Sequence, residues 1–553
     1  MILFLVLILR ALYLQVFNDH FFREQGQARH KRQLTLFANR GMITDRNGEP
    51  LAISTPVQSI WVTPKGMPQL TEKQLTILAE KLGMTKQSVM QRLADKRKDF
   101  VYLRRQLTPV QAQEVKALNL PGIFTQTEYR RYYPAGEVMA HIIGFTNIDG
   151  RGQEGLELTR DKALAGKAGS RTVIKDRRGY IVEDISSIIP PQNGETLCLS
   201  IDQRIQYLAY RELKNMVDLS EAKAGAIVVL DAKTGEVLAL VNLPTYNPNS
   251  RAALDLAAKR NRALTDANEP GSGMKAFVAA AALESGRWKA GSKVDTGKGM
   301  LFTSGFTITD TSTHGVITVE EMVKYSSNIA AAKIGESLPR EFMWNFYRNL
   351  GFGEAPRTEF PGETKGRLRP WKTWYPVEQM TMSYGYGISA SLMQLAKAYQ
   401  AFATAGEIRP ISLYKVVAPP EGKRVMSAHT ALAVRRMLEK VMEPGGTGKR
   451  LQIPGYRVAA KTGTARKSAR GGYSRRYVGS MIGLAPASNP RLIVAVMIDE
   501  PTKGSYFGGL TAGPVFKEVM AGALRTLGIT PDAPLIELNL QDNHVDDDVR
   551  EGI

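Results

Sequence analysis

The order of secondary-structure signals predicts an α/β fold of the α+β kind: an antiparallel sheet flanked by helices, on a mixed α/β N-terminal region. Three observations predict it. "AGAIVVLDAKTGEVLALVNLPTYNPN" (224–249) holds two Val/Ile/Leu runs around a turn from Asp231 to Gly235, a hairpin pattern. Helical stretches then continue to about residue 440. The runs "RVAAKTGTAR", "VGSMIGLAPA" and "RLIVAVMIDE" follow, each reading as a strand.

Residues 1–17, "MILFLVLILRALYLQVF", are apolar except for Arg10 and Gln15. The run is just long enough for a transmembrane helix. A cleaved signal peptide fits less well, lacking a basic start and a small-x-small cleavage site. A buried amphipathic helix is the third reading. The segment is read as a single, apparently truncated membrane anchor. Residues 18–190 form a mixed region with short strand-like runs, including a turn at Asn47-Gly48. Residues 72–119 read as helical, from the spacing of apolar positions in "LTEKQLTILAEKLG". Composition changes near Pro190-Pro191, and residues 191–530 form the second domain, opening with a strand and a helix. Residues 531–553 form a polar, acidic tail.

Apolar residues make up 43% of the 553 and charged residues 23%, which excludes wholesale disorder and a polytopic membrane protein. Lys and Arg number 73 against 53 Asp and Glu, so the net charge of +20 points to anionic surroundings. These could be a membrane surface, nucleic acid or an anionic polymer. The lone Cys198 excludes an intrachain disulfide and a Cys-rich zinc site.

The chemistry begins at Ser272-Gly273-Met274-Lys275. Pro270-Gly271 makes a turn and the Ala-rich run after Lys275 favours a helix, so Ser272 falls in a first helical turn. Lys275, three residues on, returns to the same face. A serine hydroxyl needs a base within hydrogen-bond reach. A lysine serves once burial or nearby positive charge lowers its pKa. The helix start adds N–H groups for an oxyanion. Two further pieces follow. Ser326-Ser327-Asn328 lies in a helical stretch whose start is marked by the capping-box spacing of Thr318 and Glu321. Lys461-Thr462-Gly463-Thr464 lies on a strand, where Gly463 lets a substrate backbone approach closely. S-x-x-K, S-x-N and K-T-G in this order form the signature of penicillin-recognising serine enzymes.

With these motifs the chain resembles the class B penicillin-binding proteins, and within them the FtsI-like division transpeptidases of Gram-negative bacteria. The resemblance covers nearly the whole chain. It includes Arg40-Gly41-Met42-Ile43-Thr44-Asp45-Arg46-Asn47-Gly48, Arg131-Tyr132-Tyr133-Pro134 and Gly152 to Gly155. Further on it includes "PTYNPN", "EPGS", "SSN", "YGYG" (384–387), "KTGTARK", and "YFGG" followed by "PVF". It implies a penicillin-binding-protein transpeptidase domain on an elongated, non-catalytic pedestal of the dimerisation type. It also implies one inner-membrane anchor, a periplasmic body, and no cofactor or metal.

By this resemblance Ser272 is the nucleophile and Lys275 the base. Ser326 shuttles a proton to the leaving amine, Asn328 holds the substrate amide, and Lys461 supplies positive charge. The N–H groups of Ser272 and Thr464 form the oxyanion hole. Thr462, Gly463, Thr464, Tyr384, Gly385, Tyr506 and Phe507 bind substrate. The implied partners are D-Ala-D-Ala donor and diaminopimelate acceptor stem peptides, β-lactam antibiotics, and division-complex membrane proteins including the glycosyltransferase FtsW. Nucleic acid is not among them. The sequence departs from the family where Gly273 replaces Thr, Ala276 replaces Pro, and Ala390-Ser391 replaces Val-Thr. The first two flank the base and predict a looser helix start, because glycine adds backbone freedom.

Other classes fit less well. A Ser-His-Asp hydrolase needs a G-x-S-x-G elbow, absent around Ser272, and His141 and His314 read as packing residues. A metalloenzyme lacks H-E-x-x-H and Cys pairs. The basic run "RKSARGGYSRR" (466–476) reads as a loop beside the K-T-G strand rather than a nucleic-acid patch. A soluble β-lactamase would not carry residues 18–190. A catalytically weak or silent penicillin-binding scaffold remains the alternative function.

Overall fold

The computed structural model describes Phe4, Tyr13 and residues 31–534, apart from 66, 176–180, 185–187, 251–254, 304 and 470–471. The membrane anchor read at 1–17 and most of the acidic tail lie outside the described residues. Among the described residues, no helix is long and apolar enough to cross a membrane.

The N-terminal part runs β1 (Lys31–Leu36), β2 (Ile43–Thr44), β3 (Pro50–Val62), α1 (Glu72–Leu82), α2 (Lys86–Leu93), β4 (Val101–Leu107), α3 (Pro109–Ala117), β5 (Ile123–Tyr132), β6 (Gly169–Lys175), β7 (Ile181–Asp184) and β8 (Leu197–Cys198). Long β3 pairs antiparallel with both β4 and β5. Thr71 and Thr108 close capping boxes on α1 and α3, each satisfying helix-start N–H groups. The all-helical expectation for 72–119 is corrected by β4. Its apolar residues alternate, so Leu103 and Leu107 reach the core formed with Ile60, Val62, Leu78 and Val115.

Three of the N-terminal motifs meet in one buried ion cluster. Glu157, fully buried, accepts from Arg40 Nε and Arg131 Nε, each at 2.6 Å. Arg40 also reaches Asp161 at 2.7 Å, and Gly152 N–H bonds the same carboxylate oxygen at 2.9 Å. A β-carbon on Gly152 would lie 1.8 Å from the Glu157 carbonyl, so only glycine fits there. The pedestal then docks on the second domain. β2 pairs in parallel with β8, which closes the N-terminal part, and across to the second domain Gln203 N–H bonds Asp45 at 3.2 Å. Asn249 of "PTYNPN" exchanges two hydrogen bonds with the Tyr133 backbone, at 2.9 and 3.0 Å.

The second domain continues with α4 (Gln203–Leu219), β9 (Ala224–Asp231), β10 (Val237–Leu243), α5 (Lys275–Glu284), the hairpin β11 (Met300–Thr303) and β12 (Phe306–Thr309), α6 (Val319–Tyr325), α7 (Asn328–Glu336), α8 (Arg340–Asn349), α9 (Pro376–Ser383), α10 (Leu392–Ala403), α11 (Ala428–Lys440), β13 (Ala459–Ala469), β14 (Gly472–Ala485), β15 (Leu492–Asp499) and α12 (Gly508–Thr526). The sheet order is β10-β9-β15-β14-β13, antiparallel throughout. Every residue of β9 and β15 is buried, as a sheet covered on both faces requires. One face packs with α4 and α12 around Leu213, Val229, Phe516 and Val519. The other packs with α5 and α10 around Phe277, Tyr399 and Phe402. Two elements depart from the sequence reading. The β11–β12 hairpin interrupts the helical stretch. The closing helix α12 is masked in sequence by its glycines and Pro514. Gly513 and Gly522 lie so close to Leu451 and Leu208 that a β-carbon would sit 2.6 and 2.3 Å from those side chains.

Candidate active site

The site forms where the start of α5, the α6–α7 junction and the inner half of β13 converge. Ser272 lies in a 3-10 turn, Gly271–Met274, that runs directly into α5. Gly271 opens this turn at φ +54 and Gly385 packs behind it. A β-carbon on Gly385 would lie 2.0 Å from the Gly271 carbonyl. Lys275 is fully buried at the head of α5, whose next residues, Ala276 to Ala282, are also buried. Small alanines let this helix sit in the core, and the core fixes the amine.

Lys275 Nζ lies 3.0 Å from Ser272 Oγ, 3.1 Å from Ser326 Oγ and 2.7 Å from Asn328 Oδ1. It also donates to the Ser326 carbonyl. Lys461 Nζ reaches Ser326 Oγ from the other side at 2.9 Å. Ser326 Oγ thus stands between two amines. The Ser326 backbone is left-handed, φ +63, where it terminates α6. Asn328 begins α7, and its amide nitrogen donates to the Thr309 carbonyl at 2.8 Å, which orients its oxygen toward Lys275.

Burial and the like charge of Lys461 push the Lys275 amine well below the usual lysine range, with Asp310 opposing. Burial lowers Lys461 to about 7. A neutral Lys275 is the form that can accept a proton, and it lies within hydrogen-bond reach of a hydroxyl.

The remaining predicted residues distribute around this centre. Thr462 Oγ1 donates to Thr447 Oγ1 at 2.8 Å, and Thr464 Oγ1 accepts from Gly508 N–H at 3.0 Å. Gly463 is also crowded by its own neighbours. Its missing β-carbon faces Ser480 Oγ at 2.4 Å, with Pro270 O and Gly273 N beyond, so it seats β13 against the Ser272 turn. Tyr384 is half-buried, its ring 5.7 Å from Tyr386. Tyr506 stacks on Tyr477 at 4.1 Å and lies 4.5 Å from Phe507, beyond the first residues of β13. At Gly273, where the sequence predicts a looser helix start, the Tyr399 hydroxyl donates to the carbonyl at 3.2 Å. His141 and His314 are packing residues, bonded to the Ala258 carbonyl and stacked on Tyr325 respectively.

Sequence reasoning missed Asp310. It caps α7 by accepting from Ser327 Oγ at 2.6 Å, Asn328 N at 2.5 Å and Ile329 N at 3.1 Å. Nothing in "TDTSTHG" distinguishes it from an ordinary turn residue. Thr447 was also missed, on a loop 15 residues before its partner Thr462. Among the described residues, no group of three or more His, Cys, Asp or Glu could hold a metal ion.

Comparisons with known proteins give the family. Residues 225–521 match the model of the penicillin binding protein transpeptidase domain, and residues 35–199 that of the penicillin-binding protein dimerisation domain. The chain is 46% identical to the "Probable peptidoglycan D,D-transpeptidase PenA" of Neisseria gonorrhoeae, over 97% of this chain and 92% of that protein. It is 40% identical to the "Peptidoglycan D,D-transpeptidase FtsI" of Escherichia coli K12, over 95% and 90%. Among solved structures, the transpeptidase domain of Burkholderia pseudomallei penicillin-binding protein 3 aligns with TM-score 0.57 at 48% identity, covering 61% of this chain and 98% of that one. A peptidoglycan synthetase from Bifidobacterium adolescentis aligns with TM-score 0.73 at 25% identity, covering 92% and 98%. Motifs, fold and relatives together establish that the chain belongs to the class B penicillin-binding proteins, with a dimerisation domain followed by a transpeptidase domain.

Proposed function

We propose that the protein is a serine D,D-transpeptidase that cross-links peptidoglycan stem peptides at the division septum through an acyl-enzyme at Ser272. One observation carries the reading: a buried amine, Lys275 Nζ, lies 3.0 Å from Ser272 Oγ in an environment that disfavours its charge. The names of the relatives from Neisseria and Escherichia support the reaction.

Ser272 Oγ attacks the carbonyl carbon of the penultimate D-Ala, and its proton passes to Lys275 Nζ. The N–H groups of Ser272 and Thr464 hold the oxyanion, which is where preorganised donors lower a barrier most. The C–N bond breaks and free D-Ala leaves, its amine taking a proton relayed by Ser326. Ser326 Oγ accepts from Lys275 and Lys461, which leaves its own proton for the leaving group. Asn328 holds the substrate amide. Lys461, Thr462 and Thr464 receive the terminal carboxylate beside Gly463, with Tyr384, Gly385, Tyr506 and Phe507 bordering the cleft. The amine of a diaminopimelate side chain then attacks the ester carbonyl, forms the cross-link and returns the proton to Ser272. β-lactams acylate the same oxygen. The body works in the periplasm, tethered by the residue 1–17 anchor to the inner membrane beside FtsW and other division proteins.

The test is covalent labelling. Ser272→Ala should retain the fold and lose all adduct with a fluorescent penicillin, read by intact-protein mass spectrometry. An undiminished adduct on the variant would move the nucleophile elsewhere.

A further inference from the structure

Gly273 and Met274 separate Ser272 from Lys275, and the backbone there is a 3-10 turn. Gly273 N–H bonds the Pro270 carbonyl at 3.3 Å, and Lys275 N–H bonds the Ser272 carbonyl. Both bonds span three residues. Side chains three residues apart eclipse one another in that geometry, whereas in an α-helix they are offset by part of a turn. The 3.0 Å contact between Ser272 Oγ and Lys275 Nζ thus depends on how this short turn is wound. From Lys275 onward the chain is α-helical, so the two windings meet at this pair. Gly273 itself selects neither, because glycine adds backbone freedom and brings no side chain to pack.

A group from outside the turn supplies the constraint. The Tyr399 hydroxyl, on α10, donates to the Gly273 carbonyl at 3.2 Å. That carbonyl belongs to the middle peptide unit between Ser272 and Lys275. Tyr399 is fully buried, and its ring packs edge-on against Phe277 at 5.3 Å and Phe402 at 5.4 Å. Burial raises its pKa, so the hydroxyl stays protonated and remains a donor. The need to satisfy a buried hydroxyl does not by itself explain the bond. Tyr347 joins the same aromatic cluster through Phe352 and Phe277, and its buried hydroxyl has no hydrogen-bond partner among the described residues.

We propose that Tyr399 is a positioning residue for the acylation of Ser272: its hydroxyl, anchored in the core, pins the Gly273 peptide unit and so holds Ser272 Oγ within reach of Lys275 Nζ. This rests on the reading of Ser272 as the acylated residue and Lys275 as its base. Without the hydroxyl, Gly273 rewinds more freely and the two groups meet less often. A side chain at position 273 restricts the same torsions by another route. It fits there, because Gly273 is not left-handed and the nearest neighbour of an added β-carbon is Leu395 at 4.0 Å.

The experiment is stopped-flow acylation of the full chain in detergent micelles by a fluorescent penicillin at saturation. It compares the parent, Tyr399→Phe, Gly273→Ala and the double variant, with Tyr347→Phe as control. Amplitude counts the folded molecules, and the rate constant reports geometry within them. Tyr399→Phe should lower the rate constant roughly tenfold at unchanged amplitude, since misplacing reacting groups costs up to ~100-fold. Gly273→Ala should alter the parent less than about twofold yet restore most of the loss in the double variant, the non-additivity of groups acting on one element. Tyr347→Phe should match the parent. The acid limb of the pH–rate profile should stay in place in Tyr399→Phe, because Tyr399 is not among the groups that shift Lys275. An unchanged rate constant in Tyr399→Phe overturns the proposal, as does a loss in amplitude alone, which would make the residue purely structural. An equal loss in Tyr347→Phe, a loss that Gly273→Ala does not relieve, or a displaced acid limb overturns it too. A parent that forms no adduct would bring down the Ser272 reading itself, and the proposal with it.

Discussion

Ser326 holds a left-handed backbone, φ +63, without being glycine, a conformation that costs about 1–3 kcal/mol. The cost is met because the residue ends α6 and its hydroxyl is fixed between Lys275 and Lys461. The two amines are coupled through that hydroxyl and through their charges. Removing the Lys461 charge takes away a repulsion that disfavours protonated Lys275. The Lys275 pKa then rises, and at a given acidic pH less of it is neutral. Lys461→Met should therefore slow β-lactam acylation and move the acid limb of its pH–rate profile to higher pH, measured by stopped-flow fluorescence. A limb that stays put or moves lower would mean the two amines are uncoupled. Gly273, expected from sequence to loosen the base, has its carbonyl held by Tyr399 and room for a β-carbon, the nearest neighbour atom being Leu395 at 4.0 Å.

At the scale of elements, the turn that carries Ser272 is positioned by its neighbour. Gly385 lies against Gly271 at φ +91. Gly385→Ala should displace that turn, and small misplacements of reacting groups cost on the order of 100-fold in rate. Acylation should fall by that order while circular dichroism stays native; an unchanged rate would show that the turn holds itself. The central sheet was legible because its strands are continuous Val/Ile/Leu runs, and S-x-x-K, S-x-N and K-T-G mark the centre of the site. Elements that break local patterns were not legible. Strand β4 has a two-residue alternation between helices, and α12 carries four glycines and Pro514, each of which argues against a helix unless packing overrides it. Asp310 was invisible because its role comes from contacts with the start of α7, 17 to 19 residues further on, and the crowding of Gly463 by Ser480 was invisible because sequence does not say which side of a strand is crowded.

For the whole molecule, the Arg40–Glu157–Arg131 cluster and the Tyr133–Asn249 pair tie the pedestal together and to the catalytic domain. Glu157→Gln leaves the buried Arg131 guanidinium without its carboxylate and Arg40 with Asp161 alone, a loss of about 3–5 kcal/mol. Calorimetry should show an early pedestal transition, with penicillin labelling at 25 °C retained. A single unshifted transition would show that the cluster carries little stability. His141 lies at the same junction, buried and bonded to Ala258, and burial lowers its pKa from 6.5 to about 4. Between those values the unfolded chain takes up the extra proton, so stability falls as pH drops from 6.5 toward 4 and is untouched above. The loss is up to about 3 kcal/mol. Melting temperatures across that window should fall less in His141→Gln; equal slopes would remove His141 as the cause. The convergence of α5, the α6–α7 junction and β13 has one more consequence. No two of these segments adjoin in sequence, so under the proposed mechanism Ser272 should react only in molecules whose catalytic domain is intact. A radioactive penicillin added at intervals during heating therefore counts surviving native molecules one by one, a clock for denaturation that aggregation cannot blur.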